Sequence, residues 1–227
     1  MIQKKFVVLT ILIAVLISFL TGAGCIESST NPVISTPTTS DACVIPGQNV
    51  TIGFTFLDAA KRPVITTEKQ VFTSSYEAGN LVFLSELIQI PSNTTAGTDI
   101  ISLPVSHPGI TGTTTYALFG PEIDAISYGV VGMRPGETKT LENPMGTDLV
   151  RTIDPEKFAG IVGDEFAEAS VGTQVPIAFS PTPMIAVDDA VLQVPLRIAT
   201  VIERNKEGVT ISYGYPTIDV YLKDTGL

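Results

Sequence analysis

Between residues 46 and 57 the chain reads PGQNVTIGFTFL, with Val50, Ile52, Phe54 and Phe56 alternating against Asn49, Thr51, Gly53 and Thr55. This period of two predicts a strand with one buried face. Asp58 to Pro63 read as a turn, and Leu81 to Ile90 is an apolar run of strand length. Asn93 to Tyr116 is dominated by Thr, Gly, Ser and Pro, the composition of an exposed loop or a ragged hairpin. The period then changes. Ile123, Ile126, Val130 and Met133 recur at spacings of three and four, which predicts one apolar helical stripe. Pro121 suits the first helical position, and Glu122 and Asp124 fall where the helix dipole favours negative charge. Gly132 weakens the end of that helix, Pro135-Gly136 makes a turn, and Glu137 to Leu141 leave as a strand. Asp154 is placed to cap a short helix with Pro155 first. Residues 165–222 read mostly as strand. Leu192, Val194, Leu196, Ile198 and Ile202 keep period two, and Asn205-Lys206-Glu207-Gly208 turns into Val209, Ile211 and Tyr213. Ile218, Val220 and Leu222 form the closing strand. Such a mixture is α+β, rich in strand and poor in helix.

The first 25 residues have a different character. Lys4 and Lys5 precede an unbroken apolar run from Phe6 to Leu20, and Thr21-Gly22-Ala23-Gly24 supply small residues before Cys25. This is the layout of an export signal. The small-small-Cys ending is similar to a lipobox, after which Cys25 would carry lipid, with Gly22 where such motifs usually have Leu. An uncleaved helix is the alternative, since Phe6 to Gly24 is long enough to span a bilayer. Either reading puts the rest of the chain outside the cytoplasmic membrane. Residues 26–43, opening IESSTNPVISTPTTSD, are too poor in large apolar residues to bury a core and read as a tether.

Charge narrows the partners. Without Lys4 and Lys5 the 13 basic residues fall to 11 against 23 acidic ones, a formal charge of −12. That balance argues against nucleic acid and against electrostatic docking on anionic lipid. About 185 residues follow the tether, room for one large or two small domains. If Cys25 is lipidated, Cys43 is the only thiol left and is expected as a small structural residue. The one histidine, His107, lies in Ser106-His107-Pro108-Gly109 and is expected as a solvated loop residue, with no second ligand at metal spacing. Asn49-Val50-Thr51 and Asn93-Thr94-Thr95 are N-glycosylation sequons open to an exported chain.

The order of residues in FGPEIDAISYGVVGMRPGETKTLENP, residues 119–144, resembles the V-I-P-G-F/W-E-E-A-L-V-G-M-x-x-G-E-K signature of FKBP-type peptidyl-prolyl isomerases. Ile123, Val130, Val131, Gly132, Met133, Gly136, Glu137, Lys139 and Pro144 match without a gap. The strand 46–57 is similar to the family's opening G-D-x-V-x-V-x-Y-T-G, with Phe54 at the Tyr position. Gln70 to Ser75 resembles G-x-V-F-D-S/T-S, with Phe72 at the pocket aromatic and Thr73 in place of Asp. Leu149 to Phe158 looks like the junction of the long archaeal members, which carry a second domain inserted in the flap. Met145-Gly146 stand where those proteins have A-Y-G, so the flap Tyr is absent. Arg197 to Pro216 resembles the inserted domain, with Tyr215-Pro216 at its His-Pro positions.

The resemblance implies an FKBP-like antiparallel half-barrel wrapped on one short helix, over residues 44–150 with a divergent insertion at 80–118. A small β-rich inserted domain would follow over 151–227, its last strand free to rejoin the main sheet. It implies an isomerase acting on unfolded or proline-containing polypeptides, held at the cell membrane by the N-terminal anchor. Turning a prolyl bond needs no nucleophile, metal or cofactor. It needs a dry cup that fits the twisted amide, against a barrier of about 18–20 kcal/mol. Phe54, Phe72, Thr73, Ile123 and Ile126 take the catalytic positions by resemblance, with the Ile123 N–H as donor. Glu122, Val130 and Tyr215 take substrate-contact positions. Phe54, Phe72, Glu122, Ile123 and Ile126 are equally residues a plain core would use. Thr73, Ile126 and the missing Tyr weaken catalysis, and Glu122 would be costly if buried unpaired. A catalytically silent peptide-binding or chaperone module, and an unrelated β-rich surface lipoprotein, are the competing readings.

Overall fold

The computed structural model describes residues 42–97, 99–110, 114–146, 148–178 and 194–225. The expected export segment, the lipid site Cys25, most of the tether and Leu192 lie outside the described residues. Residues 37–227 group as one compact unit. Its class is mixed α and β. The strands are β1 (Asn49–Leu57), β2 (Pro63–Thr66), β3 (Phe83–Ser85), β4 (Ile88–Pro91), β5 (Ile100–Ser106), β6 (Thr114–Phe119), β7 (Thr138–Glu142), β8 (Val150–Ile153), β9 (Gln174–Ala178), β10 (Leu196–Arg204), β11 (Val209–Ser212) and β12 (Thr217–Asp224). The helices are α1 (Lys69–Glu77), α2 (Gly120–Gly129) and α3 (Pro155–Val162).

All described strands join one open sheet in the order β7-β12-β1-β2-β3-β5-β6-β10-β11-β8. β4 pairs with β1, and β9 with β10. β1 is the centre of the first half. Its inward set Val50, Ile52, Phe54 and Phe56 meets Ile218, Val220 and Leu222 of the antiparallel β12. The α2 stripe of Ile123 and Ile126, continued by Val130 and Met133, closes this core from one side. The ragged segment 93–116 is more ordered than its composition suggests. β5 and β6 form a hairpin from Ile100↔Phe119 to Val105↔Thr114, because alternate apolar side chains on both strands reach the core.

A second apolar cluster gathers Ile153 of β8, Phe158 and Val162 of α3, Val175 and Ile177 of β9, Ala199 and Val201 of β10, and Val209 and Ile211 of β11. Asp154 caps α3 as expected, its Oδ1 accepting from Glu156 N at 3.0 Å. Asn205 likewise holds the β10–β11 turn by accepting from Glu207 N and Gly208 N. The period-two reading of β10 needs correction. A bulge between Val201 and Glu203 leaves Ile202 without a partner on β11 and 44% exposed. Upstream of the bulge both faces of β10 are covered, so Arg197 and Ala199 are as buried as Ile198.

Two chain passages link the clusters: residues 143–149 run from β7 to β8, and 213–216 return from β11 to β12. They lie side by side, with Asn143 N donating to Pro216 O at 3.0 Å and Tyr213 N to Leu149 O at 2.9 Å. Glycine permits the approach. A Cβ on Gly146 would lie 2.6 Å from Pro216 Cα, and one on Gly214 2.6 Å from Met145 O. Both clashes are with backbone, so Gly146→Ala and Gly214→Ala are expected to destabilise by about 1–3 kcal/mol each. Gly160, inside α3 with open space at its Cβ position, is expected to gain about 0.5–1 kcal/mol as Ala. Denaturant midpoints of the three variants check the contrast, and equal midpoints would contradict the packed crossing.

Candidate functional site

β6 delivers the chain into α2, and the start of that helix is where charge is buried. Phe119 is the N-cap and has no side-chain acceptor. Glu122, three residues on, reaches back so that its Oε2 accepts from Phe119 N at 3.0 Å. This is one arm of a capping box. The same carboxylate, with 0% exposure, meets the equally buried Arg197 guanidinium of β10. Arg197 Nη2 donates to Glu122 Oε1 at 2.7 Å and Nη1 to Oε2 at 3.0 Å, a two-pronged pair. Asn143 Nδ2 supplies a further bond to Oε1 at 2.9 Å. Arg197 spends its other donors on Tyr213 O at 2.7 Å and Ala117 O at 2.8 Å. Its Cζ lies 4.4 Å from the Phe119 ring centroid and 4.3 Å from that of Tyr215. A planar cation between two aromatic faces, with its fork on a carboxylate, is the arrangement that makes a buried guanidinium tolerable.

Tyr215 continues the network. Its hydroxyl donates to Ile198 O at 2.7 Å and shares a short hydrogen bond with the Tyr116 hydroxyl. Burial alone would pull the Arg197 pKa down, but the Glu122 carboxylate and the tyrosine oxygens more than offset it and leave it raised. Burial pushes Tyr215 up to about 12, with Glu122 adding to the rise and Arg197 opposing it. Tyr116 is raised well above 10.0 by burial and by Tyr215.

The expected site residues divide. Phe54, Ile123, Ile126, Val130 and Tyr215 are brought into one cluster, as a pocket would require. They are also sealed there: Ile126 has 0% exposure and Phe54 1%. Ile126 is therefore not the floor of an open cleft: it is wholly buried in the cluster that also holds Phe54, Phe56 and the β12 side chains. The expectation for Phe72 and Thr73 is corrected. Both lie on α1, Phe72 half-buried and stacked on Tyr76 at 6.0 Å between centroids, Thr73 exposed, and neither joins the Phe54 cluster. The Ile123 N–H is no orphan donor either. With Phe119 as N-cap it is the first amide that the helix's own ladder engages. Glu122, feared as an unpaired charge, accepts four hydrogen bonds. His107 is not simply solvated: its ring packs 5.5 Å from Tyr76 and 5.6 Å from Phe83, and burial lowers its pKa. Cys43 is disulfide-bonded, not a lone thiol.

Sequence reasoning passed over Arg197, Tyr116, Phe119 and Asn143. One signal was present, a charged Arg197 inside the apolar run Val194 to Val201, where a solvated residue has no place.

A second concavity lies in the other cluster. A groove of about 280 Å³ is lined by Arg151, Ile153, Ile161, Ile177, Ile211 and Tyr213, with Gly160 and Ala178 at its sides. It opens beside β8, which ends the sheet. Ile161 in its lining is 40% exposed.

Comparison of the chain with protein-family models and with curated proteins finds no match.

Two outcomes test the buried pair. Glu122→Gln or Arg197→Met alone strands a partner and is expected to cost about 3–5 kcal/mol, while Glu122→Leu with Arg197→Met recovers much of the loss. Urea unfolding of the three variants reads this directly. The tyrosines give a pH signature. The fold holds their protons more tightly than the unfolded chain, so their contribution is complete below pH 10 and is lost as pH rises towards about 12. Unfolding midpoints measured across that window are expected to fall, and Tyr215→Phe to flatten part of the slope.

Proposed function

We propose that this chain is an extracytoplasmic, membrane-tethered, FKBP-like module that holds extended polypeptide segments and does not turn their prolyl bonds. The observation that carries the reading is the burial of Ile126 and Phe54, 0% and 1% exposed, within one apolar cluster. A prolyl ring cannot be taken out of water by a cup whose floor is already dry and filled. The apolar groove beside β8 offers an alternative place for a client. A terminal strand can add an extended peptide through its backbone, and alternate side chains then enter a pocket such as the one between Ile161 and Tyr213. The strongly acidic composition fits a protein that meets polypeptides and not nucleic acid or anionic lipid.

Anchoring rests on the N-terminal segment, by lipid on Cys25 or by an uncleaved helix. No helix among the described residues is long and apolar enough to cross a membrane. The isomerase reading stands as the competing one, on the strength of the 119–144 resemblance. The unrelated β-rich lipoprotein has less support, since α2 packs across one face of the sheet.

Fluorescence anisotropy with a labelled, unfolded polypeptide and proline-limited refolding of a model protein separate the first two. Binding is expected, Ile161→Glu is expected to weaken it about tenfold or more without unfolding the exposed site, and refolding is expected to show no acceleration. Acceleration at micromolar protein, abolished by Ile126→Ala, would overturn the silent-module reading in favour of the isomerase.

A further inference from the structure

The two sequons are far apart in the chain but the sheet brings them together. Asn49 opens β1, and in the antiparallel register it faces Pro91, the last residue of β4. Asn93 lies two residues beyond Pro91, so both asparagines sit at the same end of the β1–β4 pair. Both are exposed. Among the described residues no hydrogen bond engages the side-chain amide of either. Asn93 projects from a left-handed turn with φ 53°. The turn is fastened by its backbone, with Asn93 N donating to Ser127 O and Thr94 N to Ser127 Oγ, each at 2.9 Å. The acceptor nitrogens are therefore presented to solvent on fixed scaffolding.

We infer that Asn49 and Asn93 are N-glycosylated and together cap one end of the sheet. The inference rests on the reading that the chain is exported. The donor class is a sugar carried on a polyprenyl phosphate. A bond forms between the asparagine Nδ2 and the anomeric carbon, and the bond from that carbon to the phosphate oxygen breaks. The phosphate leaves with the electron pair, and the amide gives one proton to a base of the transferase. The location has a physical use. β4 pairs with β1, is only four residues long, and is ended by a proline, all devices that blunt a strand edge. Two glycans at that end add a bulky hydrophilic screen against further strand pairing. Neither asparagine lines the groove beside β8, so client binding would be untouched.

An αL turn favours Asn for its own sake, so the variants must separate turn from acceptor. Asn93→Gly keeps the turn and removes the nitrogen. Thr95→Val removes the sequon hydroxyl with Asn93 in place, and Thr95→Ser restores it. Asn49→Gln, Thr51→Val and Thr51→Ser serve the other site. Intact mass of the chain purified from its native host is the readout, with external protease on intact cells run in parallel. The expected result is one glycan mass lost for each of Asn93→Gly, Thr95→Val, Asn49→Gln and Thr51→Val, and none for the serine variants. A bare polypeptide mass in a chain that external protease removes overturns the proposal while export stands. A bare mass in a chain that protease cannot reach overturns export and the proposal together.

Discussion

The Glu122–Arg197 pair is the interaction on which the arrangement of this molecule depends. It joins the start of α2 to the start of β10, and Asn143 and Tyr213 tie it to both chain passages between the apolar clusters. Two charges without solvent are a severe desolvation problem, met here by four hydrogen bonds on the carboxylate and by aromatic rings on both faces of the guanidinium. An arrangement so fully satisfied leaves little freedom for β10 to shift against α2. The pair is better understood as fixing that geometry than as adding net stability, because an apolar replacement of equal volume would lose little.

The same pair leaves the start of α2 buried. The N-terminal turn of α2 is occupied by Arg197 and its two aromatic neighbours, and Ile126 is buried in the cluster that also holds the β1 and β12 side chains. The polar groups of that region hydrogen-bond one another. Concavity with exposed apolar side chains is found instead beside β8, at the far end of the sheet order from β7. Recognition by a terminal strand and a shallow apolar groove asks for no catalytic geometry, and it suits a client that is extended and variable.

Local rules made much of the fold legible. The alternation Val50-Ile52-Phe54-Phe56, the stripe Ile123-Ile126-Val130-Met133, the cap at Asp154 and the turn at Asn205 each specify their element within a few residues, and each element formed. What failed needed knowledge of tertiary contacts. Gln70 to Ser75 matches a pocket motif in letters but lies on α1, and Phe72 stacks on Tyr76 there and stays out of the Phe54 cluster. Ile202 fell out of register because a bulge is not written in period two. At the site, grouping Phe54 with Ile123 and Ile126 was readable, but whether they enclose a hollow or a filled core depends on Arg197, Tyr116 and Tyr215, which arrive from two distant strands and the passage between β11 and β12. Arg197 within an apolar run was the one visible warning.

The most direct measurement is hydrogen exchange at the Arg197 guanidinium, followed by nitrogen-15 side-chain NMR. The buried, doubly sandwiched group is predicted to give a resolved Nε–H signal, assigned by its loss in Arg197→Met, that exchanges far more slowly than those of exposed arginines such as Arg134 and Arg151. An Arg197 signal averaged and exchanging like those of surface arginines would mean that the helix start is open to water. The sealed site, and the silent module argued from it, would then be wrong.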